Sequence, residues 1–295
     1  MLKILIYLGY KFAEFLVFVT PYPVTYFIAD FASTILFLCG KYVYILKKNI
    51  SLALDIDIND KRTALIAWKI YINWYRNIAD FLKLPRLNNE KIKKRVEFEG
   101  LENLKKALKE EKGAILFTAH IGNFEFAACR VAVEGFKITG MGLERPYKKT
   151  NLFFENRRRA KGMGTLYANR RDIGIFRILK SNEAIAIPTE FDPFKIAKEY
   201  EFFNKKAFIP SAPVELALRT GTPLLPSFTW RKGKYNHHLI IGEPLKLERD
   251  EKRFAGKKEF LEYNMKKMTV VMEKYIKEHI EEWEMFHDIW ALKTN

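Results

Sequence analysis

Between residues 101 and 282, short apolar segments alternate with segments of helical periodicity, and this order constrains the fold more than any other feature of the chain. The apolar segments that predict buried strands are GAILFTA, KITGMGL, AIAIP, PLLPSFTW and HLIIG. Helices are predicted at 59–84, 101–111, 123–134, 152–161, 173–181, 211–220 and 257–282. Because such an alternation needs crossover connections, the sequence predicts an α/β fold with a mostly parallel central sheet flanked by helices.

The N-terminal segment contains two uncharged runs, residues 15–29 and 31–40, on either side of Asp30. Each run is shorter than the roughly 20 residues of a simple membrane-spanning helix, and Pro21 and Pro23 interrupt the first. We predict a hydrophobic, membrane-associating helical anchor at residues 1–46 and an α/β domain at 47–295. The alternative is a helical hairpin packed on a soluble domain. The lysines that flank the anchor and would meet anionic headgroups are Lys41, Lys47 and Lys48.

The chain is strongly basic, with 51 Lys and Arg against 35 Asp and Glu and a formal net charge of +16. This surplus favours a polyanionic partner: a nucleic acid, an anionic lipid surface or an acidic carrier protein. Nucleic-acid binding would require basic and aromatic residues in a recognisable module, whereas most aromatic residues here lie in apolar runs. We therefore expect an anionic membrane surface, and no nucleic acid, as a partner.

The cysteines and most histidines do not form a reactive or metal-binding pattern. Cys39 and Cys129 lie in apolar stretches without CxxC spacing, which predicts a reducing compartment, no metal site and no cofactor. His237 and His238 are adjacent and would point to opposite faces of a strand. We expect both of them, and His287, to be structural.

His120 follows the first predicted strand of the alternation and is the strongest candidate for catalysis. Ligands of α/β sheets bind beyond the carboxyl ends of the strands. If Asn123 caps the next helix, Glu125 lies in its first turn and would fix the His120 tautomer, so that the other ring nitrogen can take a proton from a hydroxyl. Backbone N–H groups around Gly122 would face developing negative charge. Judged by spacing alone, a structural histidine beside a helix-start carboxylate is the commoner arrangement.

No GxSxG nucleophile elbow is present, which favours transfer onto a substrate hydroxyl. A strand followed by H-x4-D/E resembles the glycerolipid and lysophospholipid acyltransferase superfamily. The form HIGNFE resembles one branch, the bacterial lipid A biosynthesis acyltransferases that add late lauroyl or myristoyl chains. The further segments that resemble this family, in order, are ERPYKKTNLFFENRRRAKGMG, NRRDIG, AIAIPTEFDP, FFNKKAFIPSAPVELALRTGTPLLPSF and HIEEWEMFHDIW.

This resemblance implies a membrane-associated O-acyltransferase at the cytoplasmic face of the bacterial inner membrane. His120 would be the general base and Glu125 its partner in the HX4E motif. The donor would be the thioester of acyl carrier protein or acyl-CoA, and the acceptor a hydroxyl of a lipid A precursor. A phosphatidylinositol mannoside type of glycolipid and a lysophospholipid remain alternative acceptors. A non-catalytic basic binding protein is the alternative of a different class.

Five arginines follow the histidine motif, and their guanidinium groups suit a phosphate of the lipid acceptor or of the donor's phosphopantetheine. They are Arg145, Arg158, Arg159, Arg170 and Arg171. The resemblance favours Arg159 first and then Arg158, while a solvated helix face is the alternative for at least half of the set. Asn123 and Asp192 complete the predicted substrate-binding residues, although Asp192 is equally suited to holding the loop after its strand.

Two positions depart from the family pattern. Glu144 precedes Arg145 where a Tyr is usual, and Ser211 replaces a usual Gly or Thr. These departures leave the acceptor more open than the reaction type.

Overall fold

The computed structural model describes residues 2–40, 42–169 and 174–291. The α-helices are α1 Leu2–Val19, α2 Tyr22–Leu38, α3 Val43–Leu54, α4 Lys61–Lys83, α5 Asn89–Arg95, α6 Leu101–Leu108, α7 Phe124–Val133, α8 Lys148–Arg159, α9 Gly174–Lys180, α10 Ala212–Thr220 and α11 Lys257–Glu278. The strands are β1 Val96–Glu99, β2 Ala114–Thr118, β3 Ile138–Gly142, β4 Met163–Tyr167, β5 Ala184–Pro188, β6 Lys198–Phe202, β7 Lys205–Ile209, β8 Leu224–Lys232 and β9 Asn236–Ile241.

Within these residues, a seven-stranded sheet runs in the order β1-β9-β8-β2-β5-β3-β4. Every neighbouring pair is parallel except β8 and β9, which are antiparallel. Strands β6 and β7 form a separate antiparallel hairpin. The predicted α/β fold with a mostly parallel sheet is confirmed.

The five central strands of the sheet lie where the apolar runs predicted them, whereas the two edge strands were not predicted. Strands β1 and β4 occupy the ends of the sheet, and their sequences, VEFE and MGTLY, are not continuous apolar runs. An edge strand pairs on one side only and is less completely buried, so it carries a weaker apolar signal. The predicted helix at 59–84 is observed as α4, and the side chain of Asp60 caps it by accepting from the N–H of Arg62.

Strand β2 lies at the centre of the sheet, with every residue buried. Its side chains alternate between two cores, as the period of a strand requires. Ile115 and Phe117 join the cluster that includes the buried methionines of α11. Leu116 joins the cluster on the other face, which includes Phe126 of α7. Packing on both faces fixes the position of the β2 carboxyl end, from which His120 follows.

The N-terminal helices α1, α2 and α3 pack against the long helix α4. Tyr26 of α2 donates a hydrogen bond to Asp80 of α4 at 2.7 Å, and Arg76 of α4 pairs with Asp30 of α2 at 2.6 Å. Helix α3 runs across the predicted boundary at residue 46, and the division into anchor and domain stays a prediction. Lys41 lies outside the described residues.

In the described part of the chain, no single helix has both the length and the apolarity to cross a membrane. Helices α2 and α3 satisfy the requirement of length and composition only when they are taken together as a bent pair.

Candidate active site

The candidate site lies at the carboxyl ends of β2 and β5. These parallel neighbours pair in register up to Thr118 and Pro188, so the residues that follow them lie side by side. His120 Nδ1 is 3.1 Å from Oε1 of Glu190, and the backbone N–H of His120 donates to the same oxygen. A single carboxylate therefore holds both the ring and the backbone of His120.

The two members of this pair differ in exposure. The side chain of His120 is 31% exposed, whereas that of Glu190 is fully buried. Partial burial acts to lower the pKa of His120, but the charge and hydrogen bond of Glu190 act the other way, and the pKa lies above the ordinary 6.5. Burial would raise the pKa of Glu190, yet its contacts with His120 hold it below the ordinary value. Among the described residues, none hydrogen-bonds to Nε2 of His120, which suits this nitrogen for proton transfer.

The loop at residues 119–123, here called the catalytic loop, is confined on two sides. Gly122 has a φ of +58°, and a Cβ at this position would collide with the carbonyl group of Thr229 in β8. On the other side, the N–H of Gly122 donates to the backbone carbonyl of Glu282 at 3.0 Å, and the N–H of Glu284 donates to the backbone carbonyl of His120 at 2.7 Å. Glycine is thus required here by both conformation and space.

Glu125 is not the hydrogen-bond partner of His120, and this part of the sequence prediction is wrong. Asn123 caps α7, with its Oδ1 accepting from the N–H of Phe126 at 3.1 Å, and Glu125 lies in the first turn as expected. Its carboxylate, however, accepts from the guanidinium of Arg158 on α8, with Nε at 2.9 Å. The side chain faces α8, while His120, in the preceding loop, is held beside the end of β5. A role for Glu125 in catalysis stays a prediction.

Two of the predicted arginines gather beside Glu125. Arg158 pairs with it, and both side chains are 16% exposed. Arg145 follows β3, and its guanidinium lies 3.9 Å from the ring centroid of Phe154. Burial lowers the pKa of Arg145, and the charges of Arg158 and Glu125 also act on it. Two guanidinium groups and one carboxylate leave this cluster net positive, which suits an anionic group of a ligand.

Arg159, the arginine favoured first by the resemblance, lies apart from this cluster. Its side chain is 75% exposed and pairs with Glu155 at 3.8 Å. It lines an open cavity of about 480 Å³ beside the edge strand β4, together with Thr165 and Tyr167. The structure therefore brings Arg158, rather than Arg159, to the HX4E carboxylate.

The remaining predicted residues have mixed outcomes. Asp192 holds the loop after β5, because its carboxylate accepts from the N–H groups of Phe194 at 3.0 Å and Ala197 at 2.5 Å. The Nδ2 atom of Asn123 is buried and hydrogen-bonds to none of the described residues. Substrate binding by either residue stays a prediction. Arg170 and Arg171 lie outside the described residues.

Sequence reasoning missed Glu190 and Glu284 as neighbours of His120. A signal for Glu190 was present, since AIAIPTE ends in a carboxylate two residues after a strand, and neighbouring parallel strands end at the same edge of a sheet. No comparable signal existed for Glu284, which lies 164 positions along the chain from His120 and meets it only in the folded protein.

Comparisons with known proteins agree with the family resemblance. The family model for bacterial lipid A biosynthesis acyltransferases matches residues 1–292. A phosphatidylinositol mannoside acyltransferase of Mycobacterium tuberculosis (strain CDC 1551 / Oshkosh) is 25% identical over 170 residues, which cover 56% of this chain and 53% of the relative. The corresponding protein of Mycolicibacterium smegmatis is 22% identical over 167 residues, covering 55% and 54%. The matched segment spans about half the length of these curated relatives.

Among solved structures, the 1-acyl-sn-glycerophosphate acyltransferase PlsC of Thermotoga maritima is similar with a TM-score of 0.38 and 18% identity. The similarity covers 85% of this chain and 97% of that one.

Proposed function

We propose, because this chain belongs to the family of bacterial lipid A biosynthesis acyltransferases, that it is a membrane-associated O-acyltransferase with His120 as its general base. The acyl donor is a thioester of acyl carrier protein or coenzyme A, and the acceptor is a hydroxyl of a lipid A precursor. The observation that carries the proposal is the pairing of His120 with the buried carboxylate of Glu190 at the carboxyl edge of the sheet.

The proposed reaction needs only one base. Nε2 of His120 takes the proton of the acceptor hydroxyl while the hydroxyl oxygen attacks the thioester carbonyl carbon. The C–S bond of the tetrahedral intermediate then breaks, and the thiolate receives the proton from the imidazolium. Glu190 holds Nδ1 in its protonated form and stabilises the positive charge that His120 carries between these steps.

The net-positive cluster of Arg145, Arg158 and Glu125 supports an anionic substrate. Guanidinium groups bind phosphate through paired hydrogen bonds, and Glu125 orients Arg158 by accepting from it. We assign the cluster to a phosphate group of the lipid acceptor or of the donor's phosphopantetheine. Glu125 then contributes through Arg158 and not through His120.

A second acceptor is favoured by a specific observation. The curated relatives are named phosphatidylinositol mannoside acyltransferases, so a glycolipid of that type is the alternative to a lipid A precursor. A lysophospholipid is a third possibility within the superfamily.

The discriminating experiment is an acylation assay with purified protein and each donor. Acceptors are a lipid A precursor, a phosphatidylinositol mannoside and a lysophosphatidic acid, and products are identified by mass spectrometry. We expect one acceptor to gain the mass of a fatty acyl chain, and the His120→Ala variant to lose about 10²–10⁴-fold in rate while its melting curve is unchanged. Full activity of a folded His120→Ala variant would contradict the proposed base.

We propose a location at the cytoplasmic face of the bacterial inner membrane, and the exposed apolar residues of α1 and α2 support the membrane contact that this requires. Large side chains on these helices are exposed to solvent, and surfaces of this kind mark membrane or protein contacts. They include Leu5, Phe12, Phe15, Phe27, Phe31 and Leu38. The formal net charge of +16 adds attraction to anionic headgroups.

A further inference from the structure

The segment at residues 282–288, here called the C-terminal strap, crosses the catalytic loop. Ile121 and Trp283 form an isolated antiparallel bridge, and backbone hydrogen bonds join Gly122 to Glu282 and Glu284 to His120. The carbonyl group of His120 is thus held by the strap, just as its N–H group is held by Glu190. A displacement of the strap would move the backbone that carries the imidazole.

The strap is in turn anchored to the helices α3 and α4. Asn77 of α4 donates to the carboxylate of Glu284 at 2.7 Å. Asn49 of α3 is buried and donates to the carbonyl groups of Met285 at 2.9 Å and His287 at 2.8 Å. A single asparagine therefore fixes two points of the strap, and Glu284 fixes a third by its side chain.

The far end of the strap reaches the other member of the catalytic pair. The ring of His287 stacks on Phe191, with centroids 3.9 Å apart and planes inclined by 13°. Phe191 directly follows Glu190 in the chain. The strap consequently touches His120 through its backbone and the segment of Glu190 through a stacked ring.

We propose that Glu284 is a positioning residue for His120, and that it acts by anchoring the strap to Asn77 of α4. The proposal rests on the proposed function, since it assigns Glu284 to the same base. Glu284 touches the backbone of His120 and no reacting atom, so it would support the rate of the chemical step and leave the binding of donor and acceptor unchanged.

The electrostatic surroundings of Glu284 add a pH dependence. The groups that act on its carboxyl are Asn77 of α4, Glu282 of the strap, His120 of the catalytic loop and Arg231 of β8. Burial outweighs the opposing contacts and raises the pKa of Glu284 to about 8. Glu284 is therefore mostly neutral at pH 7. Its ionisation above pH 8 places a negative charge near His120 and favours the imidazolium that forms during transfer.

The test compares Glu284→Ala and Glu284→Gln with the wild-type protein. The Gln side chain still accepts from Asn77 but does not ionise, whereas Ala leaves the Asn77 amide without its partner. We expect Glu284→Ala to lose about 10–100-fold in kcat with unchanged KM, the scale of a small misplacement of a catalytic group. We expect the wild-type kcat to rise around pH 8 as Glu284 ionises. Glu284→Gln should retain kcat within about threefold at pH 7 and should lack this rise.

The matched control is Glu281→Gln, which removes a carboxylate just before the strap. Glu281 also pairs with α4, through Lys69 at 2.6 Å, but its side chain is 46% exposed. Glu281→Gln should keep the wild-type kcat. Equal losses in Glu284→Gln and Glu284→Ala at pH 7, or a kcat of Glu284→Ala equal to that of the control, would overturn the positioning role.

The failure of this proposal is distinguishable from failure of the proposed function. If His120→Ala abolishes transfer while both Glu284 variants behave as the control does, only the role of Glu284 is wrong. If folded His120→Ala remains fully active, the assignment of the base itself is wrong.

Discussion

At the scale of single residues, the carboxylates of Glu190 and Glu125 bind different side chains. Glu190 holds the imidazole of His120 at 3.1 Å, and Glu125 holds the guanidinium of Arg158 at 2.9 Å. In the proposed mechanism, the first pairing sets the basicity and orientation of the general base, and the second orients a cation for a phosphate group. Loss of each pairing is therefore expected to change a different kinetic constant.

Loss of the Glu190 charge should change both the rate and its pH dependence. We expect Glu190→Gln to lower kcat by about 10²–10⁴-fold, the range of general acid–base catalysis. The carboxylate raises the pKa of His120, and catalysis needs the neutral imidazole, so the variant's rising limb of kcat/KM should move to lower pH. The pH profile of acyl transfer measures this shift.

Glu183→Gln is a suitable control for that experiment. Glu183 immediately precedes β5 and pairs with Lys137 at 3.4 Å. Its replacement should leave the rising limb of the kcat/KM profile at the same pH as in the wild type. A wild-type profile for Glu190→Gln would contradict the pairing.

Arg158 and Arg159 are adjacent in sequence and form a natural comparison. Arg158→Ala should raise KM for the anionic substrate about tenfold or more, because it removes a charge-assisted contact worth roughly 1.5–3 kcal/mol. Arg159→Ala should change KM little, because its side chain is 75% exposed and lies outside the Glu125 cluster. Initial rates at varied acceptor and donor concentrations measure both constants. A larger effect of Arg159 would instead place the substrate at the cavity beside β4.

At the scale of elements, the N-terminal helices have an inner side that contacts the rest of the protein and an outer side that is exposed. Their inner sides pack on α4, while α1 and α2 leave large apolar side chains exposed. Glu14 of α1 also pairs with Arg157 of α8, so the N-terminal helices are joined to the arginine-bearing element. A membrane contact through α1 and α2 would therefore form next to the predicted phosphate site.

Charged substitutions on the exposed side of α2 test that contact. Phe27 and Phe31 are 71% and 64% exposed and lie four residues apart on one face of the helix. Phe27→Glu and Phe31→Glu should each weaken binding to phosphatidylglycerol vesicles by about tenfold or more, since each replaces an apolar side chain that would be buried in the membrane. Vesicle co-sedimentation measures the binding.

Val270→Glu, on the exposed face of α11, controls for added negative charge. It should bind vesicles much as the wild type does. Unchanged vesicle binding by both α2 variants would contradict the proposed membrane contact of α2.

At the scale of the whole molecule, a buried charge cluster joins elements that are distant in sequence. Asp80 of α4 is fully buried and contacts Tyr26 of α2, Arg95 of α5, Arg231 of β8 and His237 of β9. Burial would raise the pKa of Asp80, but His237 and the two arginines hold it well below the ordinary value. Burial lowers the pKa of His237 to about 4, so this histidine is neutral and structural, as predicted.

Asp80→Asn should destabilise the protein by about 3–5 kcal/mol, because it leaves two buried guanidinium groups without their carboxylate. The pKa of Asp80 is depressed in the folded state. Its contribution is therefore present above the unfolded pKa of about 4 and is lost as the pH falls through the folded value.

Urea unfolding at pH 7 measures this difference. Glu97→Gln, which removes an exposed ion pair with Lys232, should leave the midpoint unchanged. An Asp80→Asn variant as stable as this control would contradict the structural role of the cluster.

The sequence by itself determined the fold class, the central strands and the place of His120 at a strand end. These features depend on local patterns: apolar runs for buried strands, helical periodicity between them, and Asn123 as a cap before α7. The ordered motifs also indicated the family, which the match over residues 1–292 confirms. A local pattern is enough for each strand, helix and cap because it is specified by residues within one element, and the order of these elements along the chain then indicates the fold class.

Only the tertiary structure decided the partner of each charged side chain. Glu125 lies five positions from His120 yet pairs with Arg158, while Glu190 and Glu284 reach His120 from 70 and 164 positions away. Sequence spacing limits how far apart two groups can lie, but it does not state which way their side chains face. The register of β2 with β5 and the path of the C-terminal strap set those directions, because both depend on packing between elements remote in the chain.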